Sequence, residues 1–205
     1  MPRAGLSRDA VVEAALAVAD QAGPTGFDTL TLAAVAARTG VAVPSLYKHV
    51  GGLDDLRRGV ALVSVRELTR RIAAEAMGRS GPDAVRAVAR GIRSYATEHP
   101  ARYAAAQHAA DPRDPADAEL GAAGAEAVAA IATVLRGFGV ADGRTVDAIR
   151  MLRACVHGFV ALEQTGGFGL PDSLDVSFDV VVDTAILGIE RLAAGAQVEA
   201  RKFHA

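Results

Sequence analysis

The stretch TLAAVAARTGVAVPSLYKHVGGLDDL, residues 31–56, decides the fold of the N-terminal part of this chain. Its apolar spacing predicts two short helices, the first beginning after Thr31 and the second covering about residues 42–49. Gly40 lies at the centre of the turn between them, where the backbone must adopt a left-handed conformation that glycine takes without steric cost. Three apolar residues fall where the two helices must pack on each other: Ala36, Val41 and Leu46.

Two helices this short cannot bury a core by themselves, so a third helix must lie beneath them. The residues after Ser7 supply it, because Ser7 can cap a helix N-terminus and Asp9 lies in the first turn, where the helix dipole favours an acid. Gly23 and Pro24 end this helix. We therefore expect a three-helix helix-turn-helix head over residues 1–52.

The second helix of the turn presents a face that is suited to DNA, because an α-helix fits into the major groove of B-DNA. Tyr47, Lys48 and His49 carry donors for phosphate oxygens, and such contacts fix the orientation of a protein on the duplex. Ala42 and Val43 at the leading end make no bidentate base contact, but their side chains can touch thymine methyl groups. The alternative is that these residues form an ordinary solvated helix end.

The pattern T-x-x-x-x-A-x-x-x-G-V followed by L-Y-x-H resembles the DNA-binding domain of the TetR family of repressors. The resemblance combines the order of the helices, the position of the turn and the Leu-Tyr-Lys-His run. It implies that Thr31, Tyr47 and His49 contact phosphates and that residues 42–45 face the bases. The full DNA-contacting set predicted here is Thr31, Ala42, Val43, Pro44, Ser45, Tyr47, Lys48 and His49.

Two positions depart from the pattern of the family. Val50 follows the histidine where the family usually has an aromatic residue, and Leu53 stands where it often has a lysine that donates to phosphate. The loss of that lysine removes one phosphate contact, so we expect modest affinity for DNA unless nearby basic residues compensate. The candidates for compensation are Arg3, Arg8 and Arg38.

The rest of the chain, residues 53–205, has the composition of a helical domain. Hydrophobic residues make up 51% of the chain and aromatic residues only 4%, so alanine, the best helix former, supplies much of the apolar content. Glycine- and proline-rich breaks divide the helical stretches, and no alternating strand pattern competes with them. We expect an all-α protein of about nine helices, in which residues 53–205 form a helical effector-binding and dimerisation domain.

A second resemblance lies in the C-terminal half. The run VHGFVALE at residues 156–163, followed by GGF at residues 166–168, resembles the ligand-binding domain of the TetR subfamily that is named for a Trp-His-Gly signature. Val156 occupies the tryptophan position, so the signature is incomplete. The resemblance implies nothing about which ligand binds.

The last two long helices carry apolar seams with alternating steps of four and three residues, the spacing with which helices pack on helices. TetR-like proteins dimerise through a four-helix bundle of such helices, and the pattern here is similar. We therefore expect a homodimer that binds an inverted-repeat operator. The alternative is that both helices are simply buried in their own domain. The predicted interface residues are Leu152, Cys155, Phe159, Leu162, Phe178, Val182, Ala185, Ile189 and Leu192.

Four larger side chains in Ala-rich surroundings are candidates for an effector pocket, because cavities form where small side chains leave space between helices. The apolar bias of the domain favours a small, mostly hydrophobic effector, and a compact head without an activation surface acts most simply as a repressor. The alternative is that these side chains fill the core. The candidates are Tyr95, Tyr103, Gln107 and Met151.

Other classes of protein are less favoured. The formal net charge is −2, so any basicity used for DNA must be local. The one cysteine, Cys155, fits a reducing cytoplasm, and we expect neither a signal peptide nor a membrane span. Standard metal-ligand spacings and common enzyme motifs are absent, so we expect no metal, no cofactor and no enzyme activity. The competing hypothesis is a helical ligand-binding or interaction module, or an enzyme, whose head does not bind DNA.

Overall fold

A computed structural model describes residues 6–202, with the side chains of residues 6–141 and 143–194. The described part contains nine α-helices and no strand, which confirms the predicted all-α class and the helix count. The helices are α1 (Arg8–Ala22), α2 (Leu32–Thr39), α3 (Val43–Leu46), α4 (Leu53–Ala76), α5 (Gly81–Glu98), α6 (Pro100–Ala105), α7 (Ala118–Arg136), α8 (Asp142–Gln164) and α9 (Leu174–Lys202).

The chain forms two compact units. Residues up to Leu68 together with Tyr95–Ala125 make up unit 1, and Thr69–Ser94 together with the residues from Glu126 onward make up unit 2. This division follows contacts within the fold, whereas the predicted boundary between residues 52 and 53 separates two functions. The functional boundary stays a prediction.

The core of unit 1 forms around α1. The Ser7 hydroxyl caps this helix by accepting from the backbone N–H of Ala10 at 3.1 Å, as predicted. The buried face of α1 includes Leu16, and burying a leucine side chain contributes about 1.5–3 kcal/mol relative to leaving it exposed. The short 3-10 turn after α1 (Gly23–Thr25) leads into Gly26, where a Cβ atom would lie 2.0 Å from the carbonyl oxygen of Ala19. Only glycine allows so close an approach of the two backbone segments.

Unit 1 is also held by partly buried ion pairs. The Arg102 guanidinium of α6 donates to the Asp20 carboxylate of α1 at 2.8 Å and to the Glu67 carboxylate of α4 at 2.9 Å. Arg58 of α4 pairs with Asp117, in the 3-10 turn that precedes α7. Charge-assisted bonds of this kind are stronger than neutral ones. Those of Arg102 hold α1, α4 and α6 around one cation.

The centre of unit 2 is the packing of α8 on α9. The rings of Phe159 and Phe178 meet edge to face with their centroids 5.1 Å apart. The Arg93 guanidinium of α5 lies 4.9 Å from the centroid of the Phe178 ring and donates to Glu163 at 2.6 Å. The aliphatic stem and the charge of Arg93 therefore both stabilise the packing of α5 against α8 and α9.

One helix is apolar and largely exposed. Among the described residues, one segment, Pro115–Arg136, is long and apolar enough to cross a membrane by length and composition. Its apolar character comes mainly from alanine, whose small side chain gains little free energy on leaving water. One such segment is weak evidence for a membrane span, and the expected lack of a membrane partner stays a prediction.

Candidate nucleic-acid interface

The turn between α2 and α3 is built from local interactions. The Thr31 hydroxyl caps α2 by accepting from the backbone N–H of Ala34 at 3.2 Å. At the other end of α2, Gly40 has φ 70° and ψ 26°, the left-handed conformation that the sequence predicted. The N–H of Val41 then donates to the carbonyl of Ala36 at 3.1 Å, which closes the turn and sets the direction in which α3 begins.

α3 is shorter than predicted. It covers Val43–Leu46, with Ala42 as the N-cap residue, rather than residues 42–49. The backbone N–H groups of His49 and Val50 both donate to the carbonyl of Leu46, so the chain tightens into a turn there instead of continuing the helix. Leu46 is completely buried, and it anchors this short segment on the core of unit 1.

Seven of the eight predicted DNA-contacting residues lie on or beside this segment, Thr31 lies at the start of α2, and none of the eight is buried. Tyr47 is 57% exposed although it is a large aromatic residue. Exposed or half-buried side chains at these positions are free to meet a duplex without a change in the core of unit 1. The exposed members are Thr31, Ala42, Pro44, Tyr47 and Lys48, and the half-buried members are Val43, Ser45 and His49.

Arg8 does not supply a free cation for the interface. Its guanidinium donates to both carboxylate oxygens of Asp55, at 2.6 and 2.8 Å, and Asp55 also accepts from the N–H of Gly51 at 2.8 Å. The hydrogen bond from Arg8 is the main reason why the pKa of Asp55 falls to about 2. Of the other residues expected to compensate for the missing lysine, Arg38 is exposed and Arg3 lies outside the described residues.

The four candidates for an effector pocket lie in different parts of the fold. Tyr95, Tyr103 and Gln107 belong to unit 1, and Met151 belongs to unit 2, where its sulfur lies 3.0 Å from the place of a Cβ on Gly188. Both tyrosines are buried. Tyr95 donates to Glu67 at 3.1 Å, and burial is the main cause that raises its pKa. Both tyrosines therefore pack in the core of unit 1, and their contact with an effector stays a prediction.

The predicted dimer seams are mostly buried within the chain. Leu162 is exposed, Cys155 and Leu192 are half-buried, and the other six residues pack between helices of unit 2. This packing agrees with the alternative stated above, in which the side chains of both helices are buried in their own domain. They are Leu152, Phe159, Phe178, Val182, Ala185 and Ile189.

A different apolar face of α9 is exposed, which we call the outer face. On α9 it follows a spacing of four and then seven residues, from Val176 to Val180 and Leu187. These residues lie between the seam positions, so a search for one stripe per helix missed them. The outer face comprises Val176, Val180 and Leu187, each 60% or more exposed, whereas the exposed Val146 and Leu162 of α8 lie about 160° apart around that helix.

Unit 2 also has a cleft of about 540 Å³ beside α5, which the sequence did not indicate. It contains none of the four predicted pocket residues, and its lining is charged rather than apolar. Two of its arginines are already paired with α9, since Arg86 donates to Asp183 at 2.7 Å and Arg90 to Asp179 at 2.9 Å. These two pairs and the two acidic residues of the lining, Glu75 and Asp83, together offset its four arginines, so its electrostatics do not favour an anion. Among the described residues, no three His, Cys, Asp or Glu side chains are grouped as a metal site.

Comparison with known proteins identifies the family. The profile described as "Tetracyclin repressor-like, C-terminal domain" matches residues 85–185. The HTH-type transcriptional regulator Rv0681 of Mycobacterium tuberculosis is 37% identical over 201 residues, which cover 98% of this chain and 85% of that protein. This chain belongs to the TetR family of transcriptional regulators.

Two further proteins are similar over nearly their whole length. The HTH-type transcriptional regulator YobS of Bacillus subtilis is 29% identical over 189 residues, which cover 92% of this chain and 95% of YobS. A crystal structure of TetR-Q116A from Acinetobacter baumannii, in complex with minocycline, has the same fold with a TM-score of 0.67 and 24% identity, covering 92% of this chain and 99% of that one. This TetR-family protein is thus a DNA-binding regulator with a ligand-binding domain, and the Trp-His-Gly subtype stays a prediction.

Proposed function

We propose that this TetR-family protein is a cytoplasmic, homodimeric repressor that binds an inverted-repeat operator and is released by a small, mostly hydrophobic effector. The observation that carries the proposal is the run Tyr47, Lys48 and His49, which directly follows a recognition helix anchored by Leu46, with Tyr47 and Lys48 exposed and His49 half-buried. Hydroxyl, ammonium and imidazole groups in that position are donors for phosphate oxygens. Thr31, at the N-terminus of α2, adds a fourth donor to each head.

The partner in the dimer is a second copy of this chain, bound through the outer face. An exposed stripe of valine and leucine along α9 is costly in water, and a two-fold axis allows the same stripe to cover itself. TetR-family regulators act as dimers, which supports a second copy as the occupant. Two heads related by that axis can enter successive major grooves about 34–36 Å apart.

The effector acts by binding one arrangement of the two heads more tightly than the other, since a ligand with equal affinity for both shifts nothing. The minocycline complex of a protein with the same fold supports a small-molecule ligand. Tyr95 and Tyr103 are buried, so an effector that contacts them must displace them from their core positions. The residues proposed to contact an effector are Tyr95, Tyr103 and Gln107 in unit 1, and Met151 in unit 2.

The first experiment is selection of duplex fragments from genomic DNA by the purified protein. Tyr47→Phe and Lys48→Ala are compared with Arg113→Ala, which removes a positive charge from an exposed loop residue paired with Asp111. We expect one inverted-repeat motif, weaker binding by both head variants and unchanged binding by the loop variant. Lys48→Ala should also reduce the slope of log K against log[salt] by about 2 for a dimer. No enrichment at low salt would refute the DNA-binding role and favour a ligand-binding or interaction module.

The second experiment measures mass in solution by light scattering. Leu187→Asp introduces a charge into the outer face, and Met77→Asp introduces the same charge at a site that is 77% exposed outside that face. We expect the unaltered protein and the Met77 variant to be dimers and the Leu187 variant to be a monomer. A dimer that survives Leu187→Asp would place the interface elsewhere.

A further inference from the structure

The leading end of α3 has few hydrogen-bond donors for bases. Pro44 has no backbone N–H, and the N–H of Ser45 already donates to the carbonyl of Ala42 at 2.8 Å. Among residues 43–45, this leaves at most the N–H of Val43 to face a base. Specific contacts with guanine or adenine usually need two donors or a donor and an acceptor in fixed geometry, and this backbone offers neither.

The side chains at the same place are also poor in donors. Ala42 and Pro44 are exposed and apolar, Val43 is half-buried, and the half-buried Ser45 has one hydroxyl. A single hydroxyl bonds to several base edges and therefore discriminates little between them. What this surface offers to the major groove is an apolar patch formed by Ala42 and Pro44, which we call the methyl patch.

In the major groove of natural DNA, the apolar group on a base edge is the C5-methyl group of thymine. We propose that the head recognises its operator mainly through these methyl groups, with the methyl patch in contact with thymines of each half-site. This inference rests on the proposed DNA-binding function and states which chemical group that function recognises. Each half-site then carries thymine, or 5-methylcytosine, at the bases that face residues 42–44.

The size of the effect follows from the burial of one methyl group. Burying a methyl-sized apolar group contributes about 0.8 kcal/mol, which corresponds to about a fourfold change in affinity. A dimer loses that contact twice when both half-sites are altered, so the expected change is about sixteenfold for a symmetric substitution. Changes of this size are well within the range of a fluorescence-anisotropy titration.

The test uses the full-length protein and four synthetic versions of the duplex recovered by genomic selection. At one symmetric position of each half-site, the duplexes carry thymine, deoxyuridine, 5-methylcytosine or cytosine, the last two paired with guanine. Thymine and deoxyuridine differ only in the methyl group, and so do 5-methylcytosine and cytosine. The series is repeated at each position of the half-site, so the methyl group and the pairing edge are varied independently.

We expect a position at which both methylated bases bind about sixteenfold more tightly than their unmethylated counterparts. Sequence-specific binding that is unchanged at every position by loss of the methyl group would overturn this inference and leave the DNA-binding function intact. Failure to recover any duplex would overturn both, so the two failures are distinguishable.

A protein variant then locates the contact. Ala42→Gly removes the exposed Cβ at an N-cap position where glycine is well accepted, so the fold should persist. We expect this variant to lose most of the preference for thymine over deoxyuridine, whereas Arg113→Ala, in an exposed loop outside the head, keeps it. An undiminished preference in Ala42→Gly would contradict the assignment to the methyl patch. If the glycine variant does not fold, the four-duplex series with the unaltered protein still decides the question.

Discussion

Gly26 and Gly40 allow a direct test of how the head is built, because substitution by alanine should destabilise the fold at each position for a different physical reason. At Gly40 an added Cβ meets no atom within 4 Å, but φ is +70°. The cost of Gly40→Ala is therefore conformational, about 1 kcal/mol. At Gly26, φ is −63°, which any residue adopts, but the Cβ would lie 2.0 Å from the Ala19 carbonyl oxygen.

A backbone atom cannot rotate away, so Gly26→Ala must displace the turn from α1. Overpacking of this severity costs about 3 kcal/mol, at the upper end of the usual range. For a chain of this length, each kcal/mol lowers the thermal midpoint by about 2–4 °C. We expect losses of about 3 °C for Gly40→Ala and about 9 °C for Gly26→Ala.

The assay is thermal unfolding at one fixed protein concentration, since the midpoint of an oligomer depends on concentration. Gly40→Asn is the matched control, because asparagine tolerates the left-handed conformation better than alanine does. It should cost less than Gly40→Ala, while Gly26→Asn should cost at least as much as Gly26→Ala. Equal losses for the two alanine variants, or no relief with asparagine at position 40, would refute the distinction between backbone strain and steric overlap.

Three further predictions concern charged and polar groups in unit 1. Arg102→Gln should lower the free energy of unfolding by about 2 kcal/mol in urea titrations, because two partly buried carboxylates lose their cation; Arg113→Gln, in an exposed pair, should leave it unchanged. The pKa of Asp55 is about 2 in the folded chain against an ordinary value of 3.8, so its contribution is present above pH 4 and is lost as the pH falls towards 2. Arg8→Ala should remove that contribution, about 1 kcal/mol after allowance for solvent screening, and flatten the difference in stability between pH 5 and pH 2.5; an unchanged acid profile would contradict it. Tyr95→Ala should lower the free energy of unfolding by about 3 kcal/mol or more because the side chain is buried, and Tyr95→Phe should lower it by about 1 kcal/mol because it loses the hydrogen bond to Glu67. Thermal unfolding measures both losses, and unchanged stability in both variants would indicate a ring in an open pocket.

The parts of the fold that the sequence predicted well depend on interactions within a few residues. Ser7 and Thr31 each accept from a backbone N–H three residues later, and the left-handed backbone of Gly40 is set within one turn. Caps and turns of this kind leave a recognisable local pattern because the interacting groups are close in sequence. The predicted length of α3 was wrong, because no distinctive residue marks the tight turn after Leu46.

The parts that could not be predicted depend on partners far apart in the chain. Arg8 binds Asp55, 47 positions further along the chain, and Arg86 binds Asp183, 97 positions further along. Apolar periodicity has a related limit, because α9 carries one stripe that packs inside unit 2 and another on the outer face. Spacing alone cannot say which stripe meets the rest of the chain and which remains for a partner. Only the packing of α8 on α9 separates Phe178, which is buried, from Val180, which is exposed.

The small number of cations in the head has a consequence for regulation under the proposed function. Among the described residues of the head, Lys48 and Arg38 are exposed, whereas Arg8 is engaged by Asp55, so these two residues give a dimer about four positive charges for phosphates and contribute about −4 to the salt slope. Binding by one head alone is then weak, and useful affinity requires both heads to bind at once. Simultaneous binding depends on the distance between the two recognition helices. An effector that changes this distance removes the contribution of the second head without weakening any single contact, so a modest preference of the effector for one arrangement is enough to release the operator.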